Sequence, residues 1–163
     1  MADISNIITE LETIATAQVG IESFEYSNIF DLNTFRTTTK PMMIVQRQTE
    51  LSFPDFQKKF KDYQLKIGIY DDYNLAEQQT TAYASKQKEL EDLMEQFLRE
   101  FRSRSLGETT QVTTPQDWFM QSGTSDLVRM ELIEIIGNDK LIAIESTVTV
   151  RTFSDCDVGT FNY

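Results

Sequence analysis

Carboxylates are the residues in this 163-residue chain best placed to do chemistry. Asp71 and Asp72 close an alternating segment that reads as a strand, a position where a catalytic pair could stand. Adjacent residues at a turn point in different directions, however, and Asp is a common turn and cap residue. Asp155, Asp157 and Gly159 repeat the opening of a calcium loop, but the chain ends at Tyr163, before the acidic ligand such a loop needs at its twelfth position. Cys156 lies between two of these aspartates, and nearby negative charge opposes the thiolate that a nucleophile requires. Glu89, Glu91, Asp92 and Glu95 fall on a segment with helical spacing and read as its solvated face. The chain has no histidine. That removes the usual general base near neutral pH, the commonest zinc ligand and every imidazole triad. There is no nucleophile elbow, phosphate loop or dinucleotide fingerprint. The expectation is a protein that is not an enzyme and holds no cofactor or metal.

The totals point the same way. A net charge of −11 and a pI near 4.4 repel nucleic-acid phosphates and anionic lipid. Arg99, Arg102 and Arg104 form a mildly basic cluster, and they complement the C-terminal end of a helix dipole. With a single cysteine, no disulfide can close within the chain. No window approaches the ~20 apolar residues of a membrane span. The start, Met1-Ala2-Asp3, lacks the basic and apolar regions of a signal peptide, so synthesis and use in a cytosol, or in a particle built there, is expected.

The elements are legible from periodicity. Behind an Asp3 cap, Ile4, Ile7, Ile8, Leu11, Ile14 and Ala15 recur on one helical face, and Gly20 is the natural stop. Pro41 opens a strand through Val45. Tyr63, Leu65, Ile67 and Ile69 alternate with Gln64, Lys66, Gly68 and Tyr70 as a half-buried strand. Asn74 and Glu77 have capping-box spacing ahead of a long helix that runs to about Arg104. Its stripe is Leu90, Leu93, Met94, Phe97, Leu98 and Phe101. A short strand is expected at Trp118–Gln121. A hairpin follows, with strands at 127–136 and 141–153 around the turn 137–140. Val128, Met130 and Leu132 share one phase while Ile133 and Ile135 take the other, and a bulge near Leu132 would reconcile them. The expected fold is α+β: a mostly antiparallel sheet with the N-terminal helix and one long helix on one face, as one domain over 1–163. The opposite face, with its Thr, Glu and Arg residues, is expected to be wet or open to a neighbour.

Three stretches lack a period. Residues 21–40 are aromatic, with Phe24, Tyr26, Phe30 and Phe35. Residues 105–116 are Thr-rich. The end of the chain carries Val158, Phe161 and Tyr163. Long unpatterned segments in compact domains are usually functional, and aromatics concentrate in interface centres. Phe24, Tyr26, Phe30, Phe35, Val158, Phe161 and Tyr163 are therefore the candidate subunit-interface residues.

The order of parts resembles a known family. An N-terminal helix leads to Phe24-Glu25-Tyr26 and Asp31-Leu32-Asn33. A Pro-led strand at Pro41–Val45 follows, then an alternating strand from Tyr63 to Asp71, a long helix, and a β-hairpin closing on Asp155-Cys156-Asp157. This is similar to the tail-terminator-like proteins of tailed bacteriophages, including the neck and head–tail connector rings. The resemblance implies a hexameric or dodecameric ring in the virion, stacked between portal-side, neck and tail proteins. DNA would pass through its channel without specific binding, and no membrane is involved. The alternative is a small acidic cytosolic adaptor or inhibitor that binds another protein.

Overall fold

The computed structural model describes residues 4–27, 38–46, 51–52, 60–72, 81–104, 118–121, 129–135 and 141–153. Helix α1 spans Ile4–Ala17 and buries Ile7, Leu11, Ile14 and Ala15, the face its spacing predicts. Gly20 ends the turn behind it with φ of +100°, a conformation that glycine takes without steric cost. A Cβ there would also stand 3.0 Å from Leu93 Cδ2 of the long helix, so the turn is seated closely on its neighbour.

Strand β1 (Ser23–Ser27) follows, and then β2 (Met42–Gln46), β3 (Leu51–Ser52) and β4 (Phe60–Asp72). Helix α2 covers Thr81–Ser103, about 34 Å at 1.5 Å per residue. The expected cap at Asn74 lies outside the described residues. Strands β5 (Trp118–Gln121), β6 (Met130–Ile135) and β7 (Leu141–Phe153) complete the fold. All seven strands belong to one mixed, mostly antiparallel sheet that is five positions wide. Its axis is β4 against β7, in unbroken antiparallel register from Phe60↔Phe153 to Asp72↔Leu141. On one side β4 pairs with β2 and β3, and β1 adds to β2 in parallel. On the other side β5 and β6 share the edge of β7, β6 along Leu141–Ser146 and β5 along Thr149–Thr152. The chain between 27 and 42 has the dozen or so residues that a parallel connection needs.

Both helices pack on the same face. Leu93, Met94, Phe97 and Phe101 join Leu65, Ile67, Ile144 and Val148 in one buried cluster, as the stripe and the alternation predict. Phe101 stacks on Trp118 with centroids 4.6 Å apart, which ties the end of α2 to β5. The helices are also linked by Arg104, whose Nη1 lies 2.6 Å from Glu10 Oε1 of α1.

Three features depart from expectation. Residues 21–40 contain β1, a strand with only two apolar side chains, too short to show a period. The β6–β7 register has no bulge at Leu132, since every pair from Met130↔Ser146 to Ile135↔Leu141 is in step. The phase change instead reflects apolar side chains on both faces of β6. Ile133 packs on the far side of the sheet, and Met130 and Leu132 project on the helix side at an edge, 38% and 39% exposed. Finally, the face without helices is not simply wet. Met42, Ile44, Tyr70, Leu141 and Ala143 form a second, fully buried cluster there.

Candidate functional site

Asp71 and Asp72 are not a pair. Alternation along β4 sends them to opposite faces. Asp71 meets Lys86 of α2 at 2.8 Å, and Asp72 meets Lys40 at 2.7 Å. Each carboxylate closes an ion pair between segments, and nothing converges on both. The acidic face of α2 is equally ordinary: Asp92 holds Lys88 at 2.7 Å and Glu95 holds Arg99, both one turn apart. The basic cluster is spent in the same way, with Arg104 bound to Glu10 and to Glu100 at 2.8 Å. Asp155, Cys156, Asp157 and Gly159 lie outside the described residues. Among the described residues no three His, Cys, Asp or Glu side chains gather as a metal site would require. No described helix is long and apolar enough to cross a membrane.

The polar arrangement that the sequence did not reveal sits on the face away from the helices. Glu145, only 2% exposed, accepts a hydrogen bond from the Tyr70 hydroxyl on one oxygen, with Gln46 Nε2 3.4 Å from the same atom. Its other oxygen has no aligned hydrogen bond but lies against the Lys66 ammonium in an ion pair. Gly68 makes this possible. It stands directly opposite Glu145 across the β4–β7 ladder, and the Tyr70 ring folds over it. A Cβ at Gly68 would lie 2.5 Å from that ring. Burial pushes the Tyr70 phenol far above its ordinary 10.0, and the bond to Glu145 and its negative charge push the same way. Six positions further along the ladder, Arg151 grips its cross-strand partner Asp62 with two bonds of 2.6 and 2.7 Å. A lone glycine inside an alternating strand was the available signal for this cluster, because such a glycine marks a close approach.

These ion pairs and hydrogen bonds bind strand to strand across the sheet. What remains as a candidate site is surface. Phe24 and Tyr26, two of the predicted interface residues, stand on β1, half-buried against the main core on the helix side. Phe30, Phe35, Val158, Phe161 and Tyr163 lie outside the described residues. Sequence reasoning missed the exposed apolar residues that the structure displays: Val19, 93% exposed beyond the end of α1, and Met130 and Leu132 on β6. Among the described residues β1 pairs only with β2, and β6 only with β7, so the sheet has an edge strand on each side. A shallow polar concavity of about 270 Å³ also lies between the helices, lined by Ile14, Ala17, Gln18, Gln96, Glu100 and Arg104. No family model and no curated protein matches this chain.

Proposed function

We propose that this chain is a structural subunit of a bacteriophage neck or tail ring, a tail terminator or head–tail connector that surrounds a DNA channel. The observation that carries the reading is the architecture. Two helices lie on one face of a mostly antiparallel sheet, in the element order that the resemblance requires, and among the described residues the unlike strands β1 and β6 lie at opposite edges of the sheet. Consecutive subunits of a ring meet through two different surfaces, and a rotation closes the set. Two unlike edges on opposite sides of one sheet suit that geometry. The charge of −11 suits a channel, since an acidic wall repels the phosphates of passing DNA. The subunit acts by assembly, without catalysis or cofactor, together with portal-side, neck and tail proteins in the virion.

The test is the state of the protein in two settings. Expressed by itself, the chain is expected as a monomer or partial oligomer, because a stacked neighbour adds contacts that the isolated ring lacks. In the native particle it is expected as a closed ring of six or twelve copies, read by electron microscopy. A chain found only as a free monomer in producing cells would remove the ring reading. The adaptor reading would then take its place, and the polar concavity between α1 and α2 is the feature that favours it.

A further inference from the structure

The two edges of the sheet can be compared strand by strand. β6 runs antiparallel to β7, β7 to β4, and β4 to β2, while β1 is parallel to β2. Within one subunit β1 and β6 therefore point in opposite directions. Consider a second copy placed beside the first by rotation about an axis along the strands. Its β1 arrives antiparallel to the first copy's β6, and its helix-side face stays on the helix side. Direction and face both match without any rearrangement.

The side chains match as well. On the helix side β6 projects the exposed Met130 and Leu132, and β1 projects Phe24 and Tyr26, whose register partners are Met43 and Val45 of the main core. On the other side β1 carries Glu25, opposite Ile44 of the second cluster. Arg129, 84% exposed, stands just before β6, and its guanidinium reaches only to 3.9 Å from Glu131, on the same side. Edge strands that stay single are usually guarded by charged side chains, lysine above all, by proline or by a bulge. β6, Met-Glu-Leu-Ile-Glu-Ile, carries two glutamates but no lysine, proline or bulge.

We propose that β6 of one copy pairs antiparallel with β1 of the next, Arg129 opposite Glu25, so that the sheet continues from subunit to subunit. The inference rests on the ring reading and names its lateral contact. In this register Met130 falls opposite Phe24 and Glu131 opposite Ser23, and Leu132 lies opposite Glu22, just before β1. Opposite charges and apolar pairs directly across a ladder stabilise it, and like charges destabilise it. The symmetric alternative, two β1 strands overlapped in full, sets Glu25 against Glu25.

The experiment uses the full chain with Cys156→Ser, which leaves no native thiol. One preparation carries Glu25→Cys and the other Arg129→Cys. The two are mixed at high concentration and oxidised. Directly opposed positions on an antiparallel ladder lie within the Cα separation a disulfide spans. The expected result is a 25–129 product above its statistical share, with 25–25 and 129–129 products below theirs. The doubly substituted chain should give a ladder of linked oligomers. A second measurement needs no cysteine: Arg129→Glu should weaken self-association in sedimentation, and the double variant Arg129→Glu with Glu25→Arg should restore it. Oligomers that form without 25–129 linkage and ignore the charge reversal overturn this contact and leave the ring reading standing. A chain that yields no 25–129 product even at high concentration overturns this contact, and the ring reading falls with it only if the native particle also lacks a closed ring of this chain.

Discussion

Tyr70, Gly68 and Glu145 form a closely fitted group on the face away from the helices. A carboxylate 2% exposed is costly unless donors surround it, and here a phenol, an amide and an ammonium do so. The phenol reaches Glu145 only because residue 68 has no side chain. Gly68→Ala should displace the ring and cost about 1–3 kcal/mol, as forced overpacking does, read by chemical denaturation. Tyr70→Phe keeps the ring but removes a donor from a buried acceptor, at a cost of about 1–3 kcal/mol. The two should be non-additive, since both act through one bond. A pH dependence follows from the raised Tyr70 value. The folded state holds the phenol neutral where the unfolded chain ionises it. Its contribution is therefore complete below the ordinary 10.0 and declines as the solution becomes more alkaline. Denaturation midpoints should fall in that alkaline range, and less steeply for Tyr70→Phe. Equal slopes for the two proteins would remove Tyr70 from the account.

At the scale of elements, α2 packs against α1, β4, β5 and β7. Leu90, Leu93, Met94, Phe97, Leu98 and Phe101 form its buried stripe. Phe97 is fully buried and stacks with Phe101, which stacks with Trp118 of β5. Phe97→Ala should cost about 3–5 kcal/mol and lower Tm accordingly, the range for truncated buried aromatics. An unchanged Tm would mean that α2 contributes little to the core. This stripe was legible in the sequence because a long helix repeats its period many times. β1 was not, because a short edge strand offers two apolar residues among polar ones. β6 was legible as a strand but misleading as to phase. Its two apolar sets read as a slip in register, whereas the ladder runs straight and each set meets a different environment.

For the whole molecule the open question is what covers the edges. The core hairpin is complete at Phe153, where β7 ends. Deleting residues 158–163 should leave thermal stability within error of the parent and reduce incorporation into particles, measured by the protein content of purified virions. Normal incorporation would show that Val158, Phe161 and Tyr163 are not assembly residues. The segment bearing Phe30 and Phe35 gives a parallel test. It is expected to be cleaved by protease in the free subunit and spared in the particle, and equal resistance in both would place these side chains in the subunit's own core.

By itself the sequence determined the α+β class, both helices, the strands β4 and β7 and the identity of the main buried cluster. Each of these is set by local periodicity repeated over many residues, and period is a property of the chain alone. It also determined that these 163 residues carry no imidazole side chain, since none of them is histidine. Only the tertiary structure decided that Asp71 and Asp72 serve different faces, that Gly68 makes room for Tyr70, and that Glu145 is buried with Lys66. The same holds for β1 joining the sheet in parallel, which leaves β1 and β6 as edge strands pointing in opposite directions. These facts depend on which strands become neighbours, and neighbours far apart in the chain share no local signal. The partner of Glu145 is settled by a register spanning 13 residue pairs between β4 and β7, and no short window of either strand contains it.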